Sequence, residues 1–183
     1  MNRKIRWITE TAVLLALLIT LQAVTKPLGQ LVTGSCVNAI LALSVLFAGL
    51  GSGLVIAVLS PILAFLLGIA PQVLTVPAIM VGNAVYVLVL HFLADPTGKQ
   101  WIRNMLGWLL AAVAKFGALY LLVVKLLCGP LARGLMEEGL LKAPMIDKLT
   151  ATFTWPQMLT ALIGGICALL IAPILHKALK KET

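Results

Sequence analysis

Charge is scarce in this chain. Only 11% of its 183 residues are charged and only 6 are acidic, where a water-soluble domain carries about 25% charged residues. So few polar groups cannot cover a water-facing surface. Other absences exclude chemistries in turn. The three cysteines, Cys36, Cys128 and Cys167, form no CxxC and no paired spacing, which removes zinc ribbons and dithiol redox pairs and leaves apolar packing for each. No P-loop is present, so the chain does not hydrolyse ATP on its own. No acidic metal-binding motif of a lipid transferase is present either, and neither a metal nor a cofactor is expected. No low-complexity linker divides the sequence, and 1–183 reads as a single membrane domain.

What is abundant is apolar sequence: 61% of residues are hydrophobic and mean hydropathy is +1.09. Several runs approach the roughly 20 residues that cross a bilayer. The expected fold class is an all-α membrane protein, a single bundle of six transmembrane helices. Lipid leaves only helices and closed barrels, and barrel strands would alternate. The six spans fall at about 7–25, 35–50, 54–70, 73–93, 106–128 and 154–178. The "GLGSG" stretch turns the chain between spans two and three, Pro71 and Gln72 join three to four, and "DPTGKQWIRN" separates four from five. Basic residues before "AVLLALLIT" mimic a secretory signal, but "LQAVTKPLG" is a poor cleavage site, so a retained first span is expected.

The net charge of +8 suggests nucleic acid at first sight. Its placement at span ends instead fits the rule that basic loops stay inside, and no nucleic-acid partner is expected. Arg3, Lys4, Arg6, Lys99, Arg103, Lys177, Lys180 and Lys181 fall on one side, against Lys26, Arg133, Lys142 and Lys148 on the other. Both termini are therefore expected to be cytoplasmic in a multi-pass protein of the cell membrane. Between spans five and six, Leu131, Leu135, Met136, Leu140 and Leu141 recur at helical spacing opposite Arg133, Glu137 and Glu138. That pattern predicts a short amphipathic helix on the outer surface, either capping the bundle or gating a site.

Lys115 lies in "AAVAKFGALYLL", near the middle of span five. Either interface is roughly 15 Å away at 1.5 Å per residue, and a central lysine costs about 3 kcal/mol to insert. It must face protein or a watery cavity. Ala111, Ala112, Ala118 and Leu119 lie one turn away and leave room beside it. Two readings stand: an ammonium satisfied by backbone carbonyls or buried amides, or an anion-binding site. No carboxylate is at hand, since Glu10 and Asp95 fall near span ends.

Asn83 and Tyr86 share a face of span four at the depth of Lys115, so amide, phenol and ammonium converge if the helices adjoin. Pro77 is expected to loosen the helix above Asn83. In "TWPQ", Thr154 and Gln157 fit a capping box. Trp155 suits either the interfacial belt or a stack on a ligand ring. Asn38 and Gln22, near the outer ends of spans two and one, are weaker candidates, and Gly164–Gly165 suits close helix packing. Ala12 and Ala16, with Thr20 at the same spacing, form a small-xxx-small face for another helix of this chain or for a separate subunit. An intramembrane serine protease is disfavoured. Ser52 falls in a turn and His91 and His176 at helix ends, out of reach of one another. No enzymatic activity is expected.

Taken together, six spans, internal termini, the AxxxA step at Ala12 and Ala16, and the stretches "GSCVNAILALSVLFAGLGSGLVIAVLSPILAFLLGI" and "VGNAVYVL" resemble the substrate-binding S component of an energy-coupling factor (ECF) vitamin transporter. The resemblance implies capture of a vitamin or related micronutrient in a pocket open to the outside. It also implies a membrane-embedded T component docked on Ala12, Ala16 and Thr20, and two cytosolic ATPases that supply energy. Lys115, Asn83, Tyr86, Trp155, Gln157 and Asn38 would then be substrate-binding residues. Lys115 favours an anionic or carbonyl-rich cargo. A stand-alone secondary transporter and a structural membrane protein are the alternatives. On the transporter reading, Lys115→Met abolishes high-affinity cargo binding while the protein still folds. Unchanged affinity in the purified variant would refute it.

Overall fold

The computed structural model describes residues 2–69, 72–95 and 100–180, with side chains as far as 175. Pro71, Lys99 and Lys181, and the side chains of His176, Lys177 and Lys180, therefore lie outside the described residues. The described chain is helical throughout, with no strand. Its elements are α1 (Arg3–Thr25), α2 (Gln30–Leu66), α3 (Val76–Leu93), α4 (Trp101–Leu119), two short helices α5 (Ala132–Glu137) and α6 (Ala143–Thr152), and α7 (Trp155–Lys180). Five of the helices are long and apolar enough to cross a membrane. Large apolar side chains such as Ile5, Val13, Phe92, Ile102, Val113 and Leu170 point outward from them. So extensive an apolar exterior suits hydrocarbon and not water.

The longest helix, α2, doubles back. Gly49 has φ 83° and ψ 178°, a region that glycine enters freely because it has no Cβ. A methyl built on Gly53 would stand 2.8 Å from Val45, whereas residues eight apart in a straight helix are separated by about 12 Å. The limbs 30–48 and 50–66 are thus antiparallel. Lys26 Nζ reaches the Gly68 carbonyl at 2.6 Å, and Thr33 Oγ1 donates to the Thr25 carbonyl at 2.9 Å, so one end of α1 meets the start of the first limb and the region past the second. The turn takes one residue, not the five of "GLGSG". Ser52 is consequently inside the bundle, fully buried, and shares a 2.9 Å hydrogen bond with Thr11.

Several boundaries differ from those expected. The loop before span two shrinks to a single 3-10 turn, Lys26–Leu28, and α2 begins five residues before Ser35. Part of the polar stretch before span five is helical, because α4 starts at Trp101. Pro77 sits in the first turn of α3, where its missing N–H has no helical partner to lose, so it does not loosen the helix. Past Leu119 the chain winds as a π-helix, Tyr120–Leu127. The apolar stripe from Leu131 to Leu141 does not form one helix. Gly139, at φ 73°, turns the chain after α5, Leu131 and Leu140 stay exposed, and Leu141 is buried beside Leu149 and Phe153.

The main core is built on α2, which packs on α1, α3 and α7, while α4 packs on α3 and α7. Leu18, Leu41, Ile56, Tyr86, Val87, Ala111 and Ala161 meet there. Small residues set the helix spacing. A methyl on Gly165 would overlap the Trp108 indole, and one on Gly164 would lie 2.5 Å from the Ser35 carbonyl. Trp108 Nε1 in turn donates to the Ala161 carbonyl at 3.1 Å. Gly165→Leu should destabilise the purified protein by about 3 kcal/mol, the upper range for overpacking. Gly117→Ala, where nothing lies within 4 Å of the new methyl, should be neutral or stabilise by up to about 1 kcal/mol. Denaturation in detergent reads both, and equal midpoints for Gly165→Leu and the parent would contradict this packing.

Candidate functional site

Lys115 faces the interior of the bundle from near the C-terminal end of α4, about halfway along the apolar span Trp101–Leu127, and is 3% exposed. Ala111 and Ala112, one turn below, are fully buried, and their small side chains let α4 pack closely on α3 and α7. Two amides meet the ammonium. Lys115 Nζ donates to Asn38 Oδ1 at 2.5 Å and to Asn83 Oδ1 at 2.7 Å. Hydrogen bonds to a charged group are stronger than neutral ones, about 1.5–3 kcal/mol net. The Tyr86 ring lies behind the ammonium, 5.4 Å from Nζ to its centroid, close enough for a cation–π contribution. Of the alternatives open to a buried lysine, the geometry realises buried amides and not backbone carbonyls.

A relay sets the orientation of Asn38. Its Nδ2 donates to the Gly34 carbonyl at 2.9 Å and to Thr160 Oγ1 at 3.3 Å. The Thr160 hydroxyl donates in turn to the Gln157 carbonyl at 3.0 Å. With both amide hydrogens engaged, Asn38 turns its oxygen to Lys115. Asn83 has no such support: its Nδ2 is buried and meets no acceptor among the described residues. The Tyr86 hydroxyl is likewise buried without a partner among the described residues.

Above this cluster is a cavity of about 380 Å³, within the range of small-molecule sites. Lys115, Asn83, Asn38 and Gln157 line it. So do Gln22 and Lys26 of α1 and its connector, Thr33 of α2, Thr75 ahead of α3, and Lys148 and Phe153 at the α6 side. Lys26 and Lys148 are exposed and mark the mouth. No carboxylate among the described residues lines the cavity.

Four of the six residues picked from the sequence therefore share one cavity. Tyr86 contacts the ammonium but does not line the space, and Trp155 stands outside it. The Trp155 side chain is 70% exposed and stacks on Phe116 with ring centroids 6.4 Å apart. Thr154 does not cap α7 with its side chain. Its hydroxyl donates back to the Ala151 carbonyl at 3.1 Å, which frees the Gln157 side chain from a capping box. Thr160, Thr33, Thr75 and Lys148 were not picked. Thr160 carried a usable signal: it is the polar residue one turn beyond Gln157 in an apolar span. Ala12, Ala16 and Thr20 are all exposed, on the side of α1 away from the buried Thr11, Leu18 and Thr25. Among the described residues, no helix covers them. Comparison with known proteins adds no relative: no family model, curated protein or solved structure matches the chain.

Proposed function

We propose that this chain is the substrate-binding subunit of an ECF-type importer. On this reading it crosses the cell membrane six times, with both limbs of α2 counted as spans and both termini in the cytoplasm. The α5–α6 region then lies on the outer face, over a pocket that takes up a vitamin or related micronutrient of anionic or carbonyl-rich character. The observation that carries the reading is a vitamin-sized cavity inside an apolar helix bundle that ends on a buried ammonium with no carboxylate beside it among the described residues. A purely structural membrane protein has no use for so expensive a group next to open space. The exposed small face at Ala12, Ala16 and Thr20 supports a second part of the proposal. It supplies a smooth helix surface for a membrane-embedded T component, through which two cytosolic ATPases drive release of the cargo.

Two measurements test this. Co-expressed with the T component and ATPases of a complete transporter, the tagged chain should pull down all three subunits. Ala12→Trp combined with Ala16→Trp should abolish that association, because bulky side chains block helix approach, and should leave thermal stability unchanged, since both positions are exposed. Uptake by proteoliposomes that contain this chain alone would refute the importer-subunit reading and favour a stand-alone secondary transporter.

A further inference from the structure

We propose that the cargo carries a carboxylate, and that this group enters first and docks on the Lys115 ammonium together with the Asn83 amide N–H groups. The inference rests on the reading that the cavity captures a small molecule. It follows from an account of donors and acceptors at the cavity floor. An ammonium has three N–H groups, and Lys115 spends two on Asn38 and Asn83. Both amide hydrogens of Asn38 are spent on Gly34 and Thr160. Asn83 keeps its oxygen on Lys115 and has its Nδ2 buried without an acceptor. Within the Lys115–Asn38–Asn83 cluster, the groups left unmet are therefore hydrogens on nitrogen. One belongs to a cation and two to the neighbouring amide, whose oxygen accepts from that cation at 2.7 Å. Two adjacent oxygens sharing one negative charge match that pair.

Charge narrows the choice further. Three lysines line the cavity (Lys26, Lys115 and Lys148) and no carboxylate does among the described residues. A cationic cargo would meet repulsion, and a neutral carbonyl would leave the buried charge uncompensated. A phosphate would meet these lysines only as point charges, because the described cavity lining contains no arginine to form a bidentate fork. Along the walls, Ile79, Leu119, Leu149 and Phe153 are apolar, which suits an uncharged middle to the molecule. Higher up, Gln22 lines the same space. The exposed Lys26 and Lys148 at the mouth raise the local concentration of anions before they enter.

Matched probes separate this inference from the reading beneath it. The full chain, purified gently, is titrated with pantothenate against panthenol, biotin against biotinamide, and nicotinate against nicotinamide, with thiamine as the cation and riboflavin as the neutral control. Small molecules released from the purified protein by denaturation are identified by mass. A carboxylic acid should be found or bound, and its neutral counterpart should bind about 100-fold more weakly, the effect of two lost tenfold steps. Asn83→Asp keeps an acceptor for Lys115, and so keeps the fold, but replaces the free donors with negative charge. It should weaken the acid by a similar factor without lowering the melting temperature. Equal binding of acid and amide, a neutral or cationic compound as the retained cargo, or full affinity in Asn83→Asp overturns the carboxylate assignment and leaves capture standing. No retained molecule and no response to any probe overturns both.

Discussion

The bond between Lys115 and the two asparagines governs how this bundle is assembled. An ammonium at mid-helix is tolerable only if its hydrogens are met, because a central charge costs about 3 kcal/mol even on the most lenient scale. Here Asn38 comes from the first limb of α2 and Asn83 from α3, so one charge on α4 ties three segments at a single level. The rotation of each helix follows from that. Once Asn38 points at Lys115, Gly34 and Thr160 must lie on its other side. The close approach there is visible at Gly34, where an added methyl would stand 2.8 Å from Thr160. Alanine and glycine on these faces are the geometric condition for the polar contact, and the polar contact gives them their register.

The two ends of the bundle are built differently, and that difference decides where the cavity opens. Toward the Gly49 turn the interior is filled by Leu18, Leu41 and Ile56, all without exposure, and the Thr11–Ser52 bond joins α1 to the start of the second limb. Toward the other end, short connections replace tight packing: the 3-10 turns at Lys26–Leu28 and Val73–Thr75 and the α6 segment surround the open space. The satellite cluster of Leu119, Val123, Leu141, Leu149 and Phe153 holds α6 against the π-helical continuation of α4. One wall of the cavity is thus a short helix of 10 residues fastened by a few apolar contacts, whereas the floor belongs to long helices locked by hydrogen bonds. Local stability should follow the same order, lowest where contact density is lowest.

Much of this was legible in the sequence because lipid leaves so few solutions. The helical class, the place of the long apolar segments and the shared depth of Lys115 and Asn83 all follow from hydropathy and rise per residue. What hydropathy does not encode is rotation about each helix axis. Asn38 was therefore only a weak candidate, although it is a direct partner of the ammonium, and of the two roles open to Trp155 the sequence did not say which its outward-pointing side chain would serve. Helix ends were misplaced for a related reason. Hydropathy reports where hydrocarbon is met, not where the backbone hydrogen bonds begin, so Gln30 and Trp101 start helices ahead of their apolar runs. Thr154 shows the limit of a short motif: its hydroxyl donates to the Ala151 carbonyl of the preceding helix. The π-helical turn from Tyr120 to Leu127 has no sequence cue that we can identify.

α1 occupies a particular position in the proposed function. It contributes Gln22 to the cavity, and Lys26 follows directly at its C-terminal end, while Ala12, Ala16 and Thr20 face out of the bundle. Ala16 and Gln22 are separated by about 9 Å along the axis at 1.5 Å per residue. A single rigid element therefore carries both a cavity wall and the surface offered to a partner. Coupling between the two requires only that a partner bind α1 better in one position than another. Any such displacement moves Gln22 and Lys26 with it, and with them the Lys26 bond to Gly68 that ties α1 to the far end of α2. The Lys115 cluster, fixed by α2, α3 and α4, would stay where it is. Cargo bound to both would then be strained between a moving wall and a fixed floor, which is a physical route from partner docking to release.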